Sequence, residues 1–321
     1  MVHGPSLTLI ISRSTFSHSG YAAFRPSYPP SLFRTVLAYH NQINPPSPPG
    51  TLLDLGCGHG LIARALAPHF SRIIGLDPSA GMVAQAQRLT PPELASKITF
   101  KQGTAEDLRP FAADSSVDCA VAGQAAHWFD YSKAWPELAR VVRRGGTLAF
   151  WGYKDHVVVG GGPAVAEVFY RYTYGDGEPC PGMEGLARFW ELPGRDILRD
   201  SYTAIVPPEG EWEDVRRIAW DPDRRTGELG EDPPEEAMWQ RKTLKLGELE
   251  GYVRTYSSFK NWQEEYPQIK SRAEGGEGDV VDRMFDEVVG AVPEWKNAGE
   301  KWRDVEVDVA WGTVILLARR R

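Results

Sequence analysis

Cysteine is scarce: only Cys57, Cys119 and Cys180 occur, an odd number and widely spaced. Such a set builds neither a disulfide framework nor a zinc site, so no resident metal is expected and a reducing compartment suits the chain. Long apolar runs are missing too, none reaching the roughly 20 residues that a membrane helix needs. The early run Leu7-Thr8-Leu9-Ile10-Ile11 is short for a signal-peptide core, lacks a basic start and precedes no convincing cleavage site, so a cytoplasmic location is expected. Positive charge is in deficit: the formal net charge is −7, and the one compact basic run is Arg319-Arg320-Arg321. An acidic surface repels phosphate backbones, which argues against a nucleic-acid partner. Oligomeric state is not legible.

What is present is an ordinary globular composition, 42% hydrophobic and 25% charged over 321 residues, enough for one large core, or for one core with a substantial insertion. Leu32, Val36, Leu37 and Tyr39 give residues 31–42 an apolar helical face, and the prolines at 45, 46, 48 and 49 end it. Beyond them strand-like and helical segments alternate. Strands are expected at 51–55, 71–76, 98–101, 117–122 and 146–152, and helices at 61–68, 81–89 and 136–142. Alternation of this kind predicts parallel pairing with crossover helices. Near the end, Val305 to Val309 alternates and Thr313 to Ala318 is apolar, with Trp311-Gly312 between them, which reads as a terminal hairpin. The expected fold is α/β: a doubly wound, mostly parallel seven-stranded sheet with a helical cap inserted before that hairpin.

The strongest motif is Asp54-Leu55-Gly56-Cys57-Gly58-His59-Gly60 at the end of the first strand. A ligand held against a strand-to-helix turn needs glycines there, because a Cβ blocks backbone approach. The dinucleotide spacing G-x-G-x-x-G requires glycine at 61, where this chain has Leu61. The form found favours S-adenosylmethionine (SAM) over NAD, although glycine spacing alone also fits a simple turn. Asp77 ends the second strand, where a carboxylate accepts hydrogen bonds from ribose hydroxyls; the competing reading is a cap for the next helix. Pro78 follows it, and Met82 would lie near an adenine face or in the core. After the third strand, Ala105 leaves room for a ring, and Glu106 or Asp107 offers an acceptor for an adenine amino group. The fourth strand ends in Gln124-Ala125-Ala126-His127-Trp128-Phe129, at the edge where such sheets bind ligands.

These motifs, in this order, resemble the class I SAM-dependent methyltransferases with a Rossmann-like fold. In detail they are similar to the fungal group that includes trans-aconitate methyltransferase. The resemblance rests on Tyr21-Ala22-Ala23-Phe24-Arg25-Pro26-Ser27-Tyr28-Pro29, the glycine motif, Gly75-Leu76-Asp77-Pro78-Ser79, Ala126-His127-Trp128-Phe129-Asp130 and Val142-Arg143-Arg144-Gly145-Gly146. It covers residues 16–155, with a fainter match at Tyr252 to Phe259. It implies that Tyr21 and Arg25 close over the cofactor and that Gln124 lies beside its methionine part. The expected cofactor contacts are therefore Tyr21, Arg25, Asp54, Gly56, Cys57, Gly58, Gly60, Asp77, Pro78, Met82, Ala105, Glu106 and Gln124. The expected domains are a SAM-binding unit with its covering segment at 1–152, a mainly helical substrate cap at 153–300, and terminal strands at 301–321.

The methyl group of SAM is activated by its sulfonium, and transfer leaves S-adenosylhomocysteine (SAH). A carboxylic acid acceptor is ionised at neutral pH and needs no base, whereas a hydroxyl benefits from one. His127 is the candidate base and Trp128 a candidate wall of the acceptor pocket; the competing reading packs both as structure. The family includes carboxyl methyltransferases, which favours ester formation. Arg171, Arg188, Arg195 and Arg199 are the insertion's candidate carboxylate ligands. Phe169, Tyr170, Tyr172, Tyr174, Phe189, Trp190, Trp212 and Trp220 suggest an apolar pocket for a small organic acid or other metabolite. The rival readings are a protein of this fold that binds without transferring, and a hydroxyl methyltransferase using His127.

Overall fold

Short apolar runs bounded by turn residues form the centre of the sheet: β1 (Thr51–Leu55), β2 (Arg72–Asp77), β3 (Ile98–Gln102) and β4 (Val117–Gly123). The computed structural model describes residues 28–43, 50–230 and 240–321. β1 and β4 are buried on both faces, as near-continuous apolar strands of a parallel sheet are. Alternate residues feed two cores: Leu52 belongs to one and Leu53 to the other. Helices α1 (Pro30–Asn41), α2 (Leu61–Leu66) and α3 (Ala80–Leu89) build the first layer with Leu32, Ile62 and Val83. α4 (Tyr131–Val141) covers the other face through Leu138 and Val141. It begins five residues earlier than the sequence suggested. Asp130 sets the start, its Oδ1 accepting from the Ser132 N–H at 3.1 Å, and Pro136 lies inside.

β5 (Val142–Val159) runs well past the expected end at Gly152. Next come α5 (Gly162–Tyr174), α6 (Gly194–Arg199), β6 (Trp212–Trp220), β7 (Gln240–Lys245), α7 (Leu246–Val253), α8 (Ser257–Glu265), α9 (Val280–Gly290), α10 (Pro293–Asn297) and β8 (Glu306–Arg320). The sheet order is β3-β2-β1-β4-β5-β8-β6, parallel as far as β5 and antiparallel beyond it. β6 and β7 lie end to end along β8, pairing with residues 313–320 and 306–311. The sheet thus fills seven lanes with eight strands.

Two expectations change here. The terminal hairpin is one strand: β8 passes through Trp311 and Gly312 without turning. Gly312 is needed for space, since a Cβ there would lie 2.2 Å from Asp221 Oδ1 and 3.0 Å from Lys154 Cε. Opposite it β5 bulges, with Lys154 and Asp155 facing the single residue Gly312 between the pairs Tyr153–Thr313 and His156–Trp311. The stretch 153–300 is also less purely helical than expected, because it donates β6 and β7 to the sheet. Trp212 and Trp220 belong to β6. The helices of this stretch extend the first core through Phe169, Phe259, Trp262, Met284 and Phe285.

Candidate active site

The chain leaves β1 outward through β2 and β3, then returns to β4 on β1's other side. At that reversal the tips of β1 and β4 part and leave a crevice, the usual ligand position in open α/β sheets. The glycine motif turns here. A Cβ on Gly56, at φ +65°, would fall 2.3 Å from that of Ala125 at the tip of β4. Gly58, at φ +52°, instead faces open space within the cleft, so its missing side chain leaves the backbone exposed to a ligand. Gly60 starts α2 and does not line the cleft.

Asp77 braces this turn. Its Oδ2 accepts from the Gly58 N–H and its Oδ1 from the Ser79 N–H, both at 2.9 Å. Burial raises its carboxyl above the ordinary value, and those two N–H groups pull it back. Ser79, rather than Asp77, caps α3, accepting from the Met82 N–H at 3.3 Å. Asp54 is fully buried two residues before Gly56, and neither carboxylate oxygen has a hydrogen-bond partner among the described residues. Burial pushes it up to about 7; the Ala63 N–H and Arg64 oppose this from farther off, and Asp77 adds to it.

Cys57, Pro78, Met82, Ala105, Glu106, Gln124 and Trp128 line the cleft alongside Gly56, Gly58 and Asp77. Glu106 holds the far wall, its Oε1 accepting from the Asp130 N–H at 2.9 Å. Gln124 sits at φ +56°, a conformation non-glycine residues rarely adopt. Its N–H donates to the Trp151 carbonyl and its Nε2 to the Tyr153 carbonyl, both at 2.9 Å. Its Oε1 is buried without a partner among the described residues, as is Trp128 Nε1. Unpaired polar atoms at the edge of a crevice fit a ligand with polar groups of its own.

His127 lies elsewhere. Its ring packs on Trp128 with centroids 4.7 Å apart, and its Nδ1 faces the Tyr202 hydroxyl at 3.5 Å. Tyr202 donates in turn to the Trp151 carbonyl at 3.1 Å. Gly194 of α6 abuts the Trp128 ring, where a Cβ would come within 2.4 Å. Tyr21 and Arg25 lie outside the described residues. Sequence reasoning missed Tyr28, His59, Phe129 and Tyr153 as lining residues. Tyr28 stood inside a quoted motif, whereas the continuation of β5 to Tyr153 had no separate signal.

A second cavity of about 700 Å³ lies in the cap, lined in part by Asp155, His156, Phe169, Tyr170, Tyr174 and Tyr256. Tyr172 and Phe189 are core. Arg171 pairs with Glu287, and Arg188 with Glu184, while Arg195 and Arg199 converge on Asp155.

Residues 53–150 match the family model described as a methyltransferase domain. The chain is similar over 311 residues, at 24% identity, to a protein named as a probable SAM-dependent methyltransferase in Saccharomyces cerevisiae, covering 95% of this chain and 96% of that one. A methyltransferase of Pestalotiopsis fici is 27% identical over 235 residues, 69% of this chain and 68% of that one. A solved structure from Anaeromyxobacter dehalogenans, provisionally named a type II methyltransferase, is 27% identical with a TM-score of 0.61, covering 92% of this chain and 98% of that one.

The chain is a class I SAM-dependent methyltransferase. It is an enzyme of Rossmann-like fold, its cofactor is SAM, and its second substrate is a methyl acceptor. The trans-aconitate group receives no separate support from these relatives. Among the methyltransferase's described residues, no helix is long and apolar enough to cross a membrane.

Proposed function

We propose that this methyltransferase esterifies a carboxylic acid of a small organic molecule. Bound SAM supplies a methyl group activated by its sulfonium. On this reading Asp77 accepts from the ribose hydroxyls, Met82 and Ala105 flank the adenine with Glu106 as its acceptor, and the Gln124 Oε1 receives a donor from the methionine part. Gly56, Cys57, Gly58 and Pro78 shape the floor, while Asp54 and Gly60 support the turn from behind. Tyr21 and Arg25 remain expected as a cover. Residues 153–300 serve the acceptor, and Trp128 forms the wall between them and the cofactor.

The observation that carries this reading is the position of His127. Its imidazole sits behind Trp128, outside the cleft, with Nδ1 towards Tyr202. An ionised carboxylate attacks without losing a proton, so a cleft that leaves its candidate base outside suits that acceptor.

The test uses labelled SAM with a panel of organic acids and the corresponding alcohols, on the native enzyme and on His127→Ala and His127→Gln. Acids are expected to be the acceptors. Turnover in both variants should change less than the roughly 100-fold that loss of a general base produces, with the shape of the pH profile preserved. SAH affinity reports folding of each variant. Transfer to alcohols alone, with the acidic limb of the profile abolished in both variants, would establish the hydroxyl reading instead.

A further inference from the structure

The β5 bulge turns Asp155 and His156 into the cap cavity, while Lys154 goes the other way, to Ser201 and Asp221. Asp155 is then surrounded by guanidinium groups. Arg199 Nε donates to its Oδ2 at 3.0 Å and Arg224 Nη1 to the same oxygen at 2.9 Å, while Arg195 and the Tyr174 hydroxyl both donate to Oδ1. Burial would raise this carboxyl, but the three arginines and Tyr174 hold it well below the ordinary range.

One carboxylate against three arginines leaves positive charge in excess. Arg225 also lines the cavity, and Glu167 is the one other carboxylate among its described lining residues, so three arginines face two carboxylates, with Arg195 paired to Asp155 besides. Arg199 and Arg224 each give one N–H to Asp155 and make no other hydrogen bond or ion pair among the described residues. Among the described residues their remaining N–H groups are unengaged. The guanidiniums are also held in place: Arg199 lies 3.8 Å above the Tyr174 ring, and Arg195 lies 4.2 Å above that of Trp190. The volume, about 700 Å³, is within the range of small-molecule sites.

The cluster stands on the strand that also serves the cofactor cleft. Tyr153 lines that cleft, and Asp155, in the bulge two residues later, lines the cap cavity. An arginine that held the reacting carboxylate would draw charge away from the attacking oxygen. A group held away from the transfer point escapes that cost.

We infer that Arg199 and Arg224 are specificity-determining residues that anchor an oxyanion of the acceptor other than the group methylated. Asp155 acts as their positioning residue, spacing the two guanidiniums. The inference rests on the acceptor reading above and adds a second anionic group to that acceptor.

The test uses the full-length enzyme saturated with SAH and two probes of equal chain length, adipate and hexanoate, followed by calorimetry. Labelled SAM then reports methyl transfer to each. Adipate is expected to bind about tenfold more tightly than hexanoate, a usual size for one charge-assisted contact. Arg199→Gln and Arg224→Gln should each erase that advantage by raising KM for adipate rather than lowering kcat, with SAH affinity unchanged. Arg224→Lys should restore part of it. Equal binding of the two acids, an adipate preference that survives both substitutions, or binding of neither at millimolar concentration overturns the anchor. The two proposals fail separately. Arginine-dependent adipate binding without transfer contradicts esterification alone, and transfer to both acids regardless of the arginines contradicts the anchor alone.

Discussion

Arg254→Ala is expected to lower the folding free energy by about 3 kcal/mol while leaving SAH binding unchanged. Arg254 ends α7 and ties it to the start of α9. Its Nη1 donates to Asp279 Oδ2 at 2.6 Å, and its Nη2 to Asp282 Oδ1 and Glu250 Oε1, both at 2.9 Å. The side chains of Asp279 and Asp282 are 1% and 2% exposed, so removing the guanidinium strands two buried carboxylates. The loss falls at the low end of the range for broken buried pairs because each aspartate keeps backbone donors. Asp279 Oδ1 accepts from the Val281 and Asp282 N–H groups, and Asp282 Oδ2 from those of Asp279 and Arg272. Denaturant unfolding of the two proteins checks this, and a difference below about 1 kcal/mol would mean the cluster does not hold the cap together. Arg254→Lys should recover only part of the loss, since one ammonium cannot reproduce the planar fork.

Asp77→Ala is expected to weaken SAM and SAH binding at least tenfold, about 1.4 kcal/mol or more. Two effects act in the same direction. The substitution removes the proposed ribose acceptor, and it releases the Gly58 N–H from its 2.9 Å bond, which loosens the turn that opens the cleft. Asp77→Asn separates them, because the amide oxygen can still accept from Gly58 but only one acceptor remains for a ribose. An intermediate loss in Asp77→Asn is the expected result by calorimetry. Unchanged affinity in Asp77→Ala would remove the ribose assignment.

The first half of the chain was legible because its signals are local. β1 to β4 are short apolar runs, and each turn at the carboxyl edge carries its own glycine, aspartate, glutamate or glutamine. Gly56, Gly58, Asp77, Glu106 and Gln124 therefore came together in the cleft as their sequence order implied. The second half was harder for definite reasons. β6 is buried chiefly at Trp212 and Trp220 and exposed between them, so it shows no two-residue alternation. Trp311-Gly312 has the look of a turn, yet the glycine there accommodates the Lys154–Asp221 pair across the strand. The arginine cluster gathers positions 155, 195, 199 and 224 from a strand, a helix and a loop, a juxtaposition no spacing could announce. In the fainter motif at 252–259, Arg254 pins helices together, while Tyr256 reaches the cap cavity and contacts His156 Nδ1 at 2.9 Å.

The most direct measurement is calorimetric titration of the full-length protein with SAH and, separately, with NADH. The account predicts micromolar binding of SAH at one site per chain and no binding of NADH, because Leu61 replaces the glycine a dinucleotide turn requires. Binding of NADH, or of neither ligand, would contradict it and leave the glycine motif as no more than a turn.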